Sequence, residues 1–214
     1  MFYIFPRAVP KKECKKLLKY CIKNTKFDEA SVLNKGATDS AGEEEMERMG
    51  DDRSRIDPKV RKTDVGFITG KDNKVNELVW HYLREANKIY FNYKLEYFQP
   101  VQFARYRNGG FYGWHQDASG QNSHGESRKL SLTFSLTDSD AYEGGNLEFF
   151  EGNKSMEDMK LSDGTIISAE QIKQDIRDQG SVIVFDSRDW HRVTPVTKGT
   201  RYSIVCWTVG PNFV

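Results

Sequence analysis

This 214-residue sequence has little to offer disulfide or charge-driven chemistry. Its three cysteines, Cys14, Cys21 and Cys206, are odd in number and lack metal-ligand spacing, so they encode neither a disulfide framework nor a zinc site. They read as buried, reduced thiols, as in a cytoplasmic protein. Charge of one sign is missing too: 32 Lys plus Arg stand against 31 Asp plus Glu. A net of +1 supplies no field to hold a polyanion, which speaks against a nucleic-acid partner bound through many phosphates. Long apolar runs are absent. The longest lies in Met1 to Phe5 and is ended by Pro6, far short of the roughly 20 residues that span a bilayer, so no membrane partner is expected. Lys11, Lys12, Lys15 and Lys16 stand where the apolar region of a signal peptide would lie. No internal repeat is apparent. What the chain does hold is 37% hydrophobic and 13% aromatic residues, enough for a core in a single domain spanning 1–214.

Cys14, Leu17, Leu18, Cys21 and Ile22 recur at helical spacing and predict an amphipathic helix over 10–23, with the intervening lysines as its solvated face. Val75, Leu78, Val79, Tyr82, Leu83, Ala86, Ile89 and Tyr90 predict a second over 73–91. Between them, residues 34–55 combine weak periodicity with a dense acidic cluster and read as a long surface loop, either a lid or a disordered segment. From residue 95 the texture changes to strand-like runs at 96–106, 129–137, 146–150, 180–186 and 201–209. Leu130, Leu132, Phe134 and Leu136 point one way, and Ser131, Thr133, Ser135 and Thr137 the other. A strand with one apolar and one polar face suits a sandwich or barrel whose interior holds something polar. The expected fold is mainly β, a sandwich or barrel from residue 95 onward with helices of the 1–94 segment packed outside it as support.

Four histidines narrow the chemistry. His81 lies within the second helix beside Trp80 and Tyr82 and reads as structural, and His124 lies in a Gly-, Ser- and Asn-rich loop. That leaves two. His115 and Asp117 are one residue apart, so in an extended strand both side chains leave on the same face. They make two corners of a metal site, or a surface ion pair. His191 follows the buried strand 180–186, 74 residues beyond Asp117, and supplies a third corner if the sheet folds back on itself. Two histidines and a carboxylate on one face of an octahedral metal leave three positions open, the arrangement of non-heme Fe(II) oxygenases. Arg201, at the head of the last apolar strand, needs an anion because an unpaired buried charge is costly. Its planar fork suits either a ligand carboxylate or an internal Asp or Glu.

The run Tyr106-Arg-Asn-Gly-Gly-Phe-Tyr112-Gly-Trp-His115-Gln-Asp117, the turn Tyr142-Glu-Gly-Gly-Asn-Leu147, and His191 with Arg201 ten residues later together resemble the Fe(II)- and 2-oxoglutarate-dependent dioxygenases. The likeness is to their prolyl 4-hydroxylase-like branch, close over 95–210 and general before it. The resemblance implies a double-stranded β-helix with His115, Asp117 and His191 as catalytic ligands to Fe(II), and Arg201 on the distal carboxylate of 2-oxoglutarate. It further implies Tyr112 as a second contact to that cosubstrate, with Tyr106, Ser131 and Trp207 lining its site. O2 would be the other cosubstrate and ascorbate the reductant. Such an enzyme hydroxylates an unactivated C–H and releases succinate and CO2. Lys198 is a decoy, since collagen-type relatives place lysine at the position that Arg201 fills here. Asp117 speaks against the halogenating relatives, which replace this carboxylate by a small residue. The first substrate reading is a prolyl or other residue of a peptide or protein, with the 34–55 loop closing over it. Alternatives are a free amino acid or small metabolite, a methylated nucleobase, and a non-catalytic metal-binding jelly roll. The nucleobase enzymes carry a second arginine where this chain has Trp207, and a non-catalytic relative would be expected to have lost a ligand or the anchor.

Overall fold

The computed structural model describes residues 2–30, 32–33, 54–55, 59–68, 74–118, 125–150, 159–160 and 166–213. Of the loop expected over 34–55, residues 34–53 lie outside the described residues, as does His124. The backbone on either side, Val32–Leu33 and Ser54–Arg55, pairs antiparallel.

Helix α1 (Lys11–Asn24) buries Cys14 and Cys21, and α2 (Lys74–Ala86) buries Val75, Val79, Leu83 and Ala86, following the three- and four-residue spacing of the sequence. The lysines of α1 face solvent. Ile22, a step round the helix from Cys21, is exposed with them. Beyond Ala86 the expected stripe breaks: the chain winds into a π turn, Asn87–Phe91, whose wider pitch rotates Ile89 and Tyr90 out to solvent. It stops at Asn92, whose φ of 54° lets its N–H reach back to the Asn87 carbonyl.

The strands that build the two main sheets are β1 (Phe2–Phe5), β2 (Arg61–Lys62), β3 (Asp64–Phe67), β4 (Gln102–Tyr106), β5 (Phe111–His115), β6 (Glu126–Ser135), β7 (Leu147–Phe149), β8 (Val182–Asp186), β9 (His191–Val193) and β10 (Arg201–Pro211). The larger sheet runs β1-β8-β6-β10-β4-β3 with Asp28–Glu29 at its edge, and the smaller runs β7-β9-β5-β2. Every one of these pairings is antiparallel. This is a double-stranded β-helix, with helices α1 and α2 packed on the larger sheet. The stretch before residue 95, expected as helical support, also contributes β1, β2 and β3. A further helix, α3 (Ala169–Arg177), is capped by Ser168, whose hydroxyl accepts from the Gln171 N–H; it buries Ile172 and Ile176 against Ile183 and Phe185.

β6 divides as its alternation requires. Leu130, Leu132 and Phe134, with Leu136 after them, enter the core shared with the helices, while Ser131 turns to the opposite face and meets Asp117. Phe134 is fully buried, so Phe134→Ala should cost about 3–5 kcal/mol in urea unfolding. Ile89→Ala, out in solvent on the π turn, should change stability by less than about 0.5 kcal/mol. Equal effects would show that α2 packs through a different face.

Candidate active site

In the pairing of β5 with β9, His115 stands directly opposite His191, so strand register alone brings the two imidazoles together. Their ring centroids are 4.1 Å apart. Asp117, just past the end of β5, completes the cluster: its Oδ1 is 3.6 Å from His115 Nε2 and its Oδ2 is 3.5 Å from His191 Nε2. All three ligand atoms lie within 4.8 Å of one another. Each imidazole is oriented from behind. His115 Nδ1 lies 2.8 Å from the Gly113 carbonyl and His191 Nδ1 lies 2.9 Å from that of Asp189. A carbonyl can only accept, so both Nδ1 atoms carry the proton and both Nε2 lone pairs point into the shared space. Tyr112 stacks flat on His115 with centroids 3.5 Å apart, and Phe185 meets His191 edge-on.

The carboxylate is fixed as firmly. The Ser131 hydroxyl donates to Asp117 Oδ2 at 2.7 Å and meets Ser187 Oγ at 2.9 Å. Burial pushes the Asp117 carboxyl up, but His191 and His115 beside it, with Arg128 further out, outweigh burial and hold it well below the usual carboxylate range. Burial pushes the His191 imidazole down to about 4, against the pull of Asp117. At neutral pH the cluster therefore presents a carboxylate beside an uncharged His191 imidazole. Two imidazole nitrogens and one carboxylate oxygen, with outer partners holding each, fit a divalent transition metal such as Fe(II). Because Ser131 fixes the carboxylate, Ser131→Ala should weaken metal affinity by roughly 10- to 100-fold in a competition titration. An unchanged affinity would limit Ser131 to packing.

Arg201 heads β10 opposite Tyr106 and is only 4% exposed. Its Nη1 donates to Ser203 Oγ at 3.2 Å, and its Cζ lies 5.2 Å from the Tyr106 ring centre. Among the described residues no carboxylate comes within 4 Å of it, so the internal Asp or Glu partner is not found. The Gly-Gly turn makes room for its stem. At Gly145, with φ of 62°, a Cβ would lie 2.9 Å from Val196 Cγ2 and 3.1 Å from Arg201 Cδ. Lys198 points outward, its side chain 77% exposed and paired with Glu143 at 3.1 Å. Trp207 faces Ser131 across β6 and β10, and its Nε1 is buried without a partner. His81 lies exposed on α2, away from this cluster.

The sequence profile of the 2OG-Fe(II) oxygenase superfamily matches residues 101–209. The chain belongs to that superfamily. Among curated oxygenases it is 33% identical to a PKHD-type hydroxylase of Teredinibacter turnerae over 111 residues, 50% of this chain and 42% of the relative. To a PKHD-type hydroxylase of Pseudoalteromonas atlantica it is 32% identical over 161 residues, 73% of this chain and 57% of the relative. The chain thus spans about half the length of these curated relatives. A solved prolyl hydroxylase from Trichoplax adhaerens, in complex with a hypoxia inducible factor oxygen degradation domain peptide fragment, shares the fold. Its TM-score is 0.64 at 16% identity, covering 97% of this chain and 82% of that one.

Other residues of this oxygenase's site escaped the sequence reading. Ser187 braces Ser131, and its backbone carbonyl accepts from the Ala118 N–H. Arg177 ties down the Gly-Gly turn through the carbonyls of Tyr142 and Gly144 and the Asn146 side chain. Arg61 and Arg128 stack on Tyr112 and Trp207. None stands in a motif; each acquires its place through partners far away in sequence. No helix among the described residues is long and apolar enough to cross a membrane.

Proposed function

We propose that the chain is an Fe(II)- and 2-oxoglutarate-dependent hydroxylase of a prolyl, or other, residue in a peptide or protein. The observation that carries this reading is the convergence of His115, Asp117 and His191 in one sheet system with a buried guanidinium, Arg201, that pairs with no acid among the described residues. His115, Asp117 and His191 would hold the iron, and Arg201 the distal carboxylate of 2-oxoglutarate through its planar fork. Bound there, the pair would supply the oxidising chemistry: one atom of O2 leaves in succinate as CO2 is released, and the other enters the substrate C–H bond.

The chain's own residues do the rest. Nδ1 protons held by the Gly113 and Asp189 carbonyls keep both imidazoles turned to the metal position. Ser131 and Ser187 hold Asp117 to one orientation, and Tyr112, stacked on His115, packs into one apolar cluster with Tyr106, whose ring lies beside Arg201. The hydroxylase reaction is supported by the PKHD-type hydroxylase relatives, and the peptide-type substrate by the peptide-bound Trichoplax fold relative. Ascorbate as reductant belongs to the same reading.

Incubation of the purified chain with Fe(II), ascorbate, 2-oxoglutarate and O2 should release succinate, and mass spectrometry should find one added oxygen atom on proline-containing peptides. Oxygen added to a free amino acid instead would move the substrate to the small-molecule class. No succinate above background, together with no metal binding, would sink the enzyme reading.

A further inference from the structure

Two more arginines border the same space, Arg61 buried and Arg128 partly buried, and among the described residues neither lies within 4 Å of a carboxylate oxygen. Arg61, on β2 opposite Tyr112, is 8% exposed and lies with Cζ 4.3 Å over the Tyr112 ring. Its Nη2 donates to Gln102 Oε1 at 3.0 Å, and its Nε is buried with no partner. Arg128, on β6, lies 4.1 Å over the Trp207 ring. Its Nε donates to Gln99 Oε1 at 2.8 Å and its Nη1 to the Asp117 backbone carbonyl at 3.3 Å. The two are electrostatic neighbours: both act on the Tyr112 hydroxyl, and Arg61 repels Arg128. Neutral amide oxygens and aromatic faces return less than the burial of a guanidinium costs, and the carboxylate that acts on Arg128, that of Asp117, is directed at His115 and His191 instead.

The proposed cosubstrate does not supply it. In the hydroxylase reading, on which this inference rests for its surroundings, the carboxylate of Asp117 and the two of 2-oxoglutarate balance the ferrous ion and Arg201. That account closes without Arg61 or Arg128 and leaves two positive charges over. Glutamines take Arg61 Nη2 and Arg128 Nε, and the Asp117 carbonyl accepts from Arg128 Nη1, so the donors left on the two match a planar group with two acceptor oxygens. We propose that Arg61 and Arg128 form a second anion cradle, separate from Arg201, which selects a carboxylate carried by the molecule to be hydroxylated.

Calorimetry on the full chain tests this, with 2-oxoglutarate present and Mn(II) in place of iron so that nothing turns over. Two matched pairs of probes place the carboxylate on different carriers: L-proline against L-prolinamide, and the blocked peptide Ala-Glu-Pro-Ala against Ala-Gln-Pro-Ala. The acid member of one pair should bind about tenfold more tightly than its amide, or better, and the pair that discriminates names the carrier. R61Q and R128Q should each reduce that preference to about threefold or less, and R61K and R128K should restore part of it. The proposal is overturned if neither pair discriminates in the unaltered protein, a comparison that needs no variant to fold. It is also overturned if the preference survives both glutamine variants, or if these weaken 2-oxoglutarate binding as much as R201Q does. Failure of the hydroxylase reading looks different: succinate release and Mn(II) binding are lost, while acid against amide is still read from heats of binding.

Discussion

Asp117→Ala is expected to remove metal binding and turnover together while leaving the fold standing. Asp117 is the single anionic donor of the cluster, reaching both His115 and His191 Nε2 within 3.6 Å, and without it two imidazoles alone face the metal position. The loss should be selective because the surroundings remain satisfied: Ser131 and Ser187 still meet each other at 2.9 Å. Because the two imidazoles, Arg128 and the Ser131 hydroxyl more than offset the burial of the Asp117 carboxylate, the metal-free variant should melt somewhat below the unaltered protein while still unfolding cooperatively. The contrast appears when metal is added. Mn(II) at about a hundred times its dissociation constant should stabilise the unaltered chain by about 2.7 kcal/mol, roughly 5–10 °C in melting temperature for a domain of this size. The Asp117→Ala chain should show no shift, and its succinate release should fall to background. A metal-induced shift that persists would place the ion elsewhere.

Why the sequence revealed this much and no more has a physical answer. The helices α1 and α2 were legible because their cores repeat at helical spacing, and β6 because its leucines alternate with hydroxyls. The triad was legible because two of its members share one short strand end and the third follows a buried strand, positions at which chemistry leaves a trace in residue order. Helix α3 was not, since it buries only Ile172 and Ile176 and offers too little periodicity to stand out. The π turn after α2 was hidden for the opposite reason: Ile89 and Tyr90 continue the helical spacing, and only the altered winding takes them off the core. Arg61, Arg128 and Ser187 belong to a third class. In the chain each is an isolated polar residue of the kind that usually faces water. What brings them to the site is strand pairing, Arg61 opposite Tyr112, Arg128 opposite Val209 and Ser187 just past the pairing of Leu130 with Asp186, which residue order does not decide.

Arg201→Ala carries the other large expected effect, and its sign separates two explanations of a buried arginine. If Arg201 were half of an internal ion pair, truncation would strand a buried carboxylate and cost about 3–5 kcal/mol of stability. No described carboxylate lies within 4 Å; Ser203 Oγ and the face of Tyr106 are its company. Truncation therefore takes away a charge that the ligand-free protein buries at a loss, and the variant should unfold no more easily than the unaltered chain. The cost should fall on 2-oxoglutarate. Losing a buried, fork-shaped contact to its distal carboxylate is worth about 3 kcal/mol or more, which raises the 2-oxoglutarate concentration needed for half-maximal succinate release by about 100-fold. Arg201→Lys should recover part of this, because charge returns without the fork. Lys198→Ala is the control: that ammonium is turned outward onto Glu143, so its removal should leave the requirement where it was. A large rise on Lys198→Ala, or none on Arg201→Ala, would move the anchor from the barrel interior to its rim. A stability loss on Arg201→Ala with no change in the requirement would instead return Arg201 to a structural role.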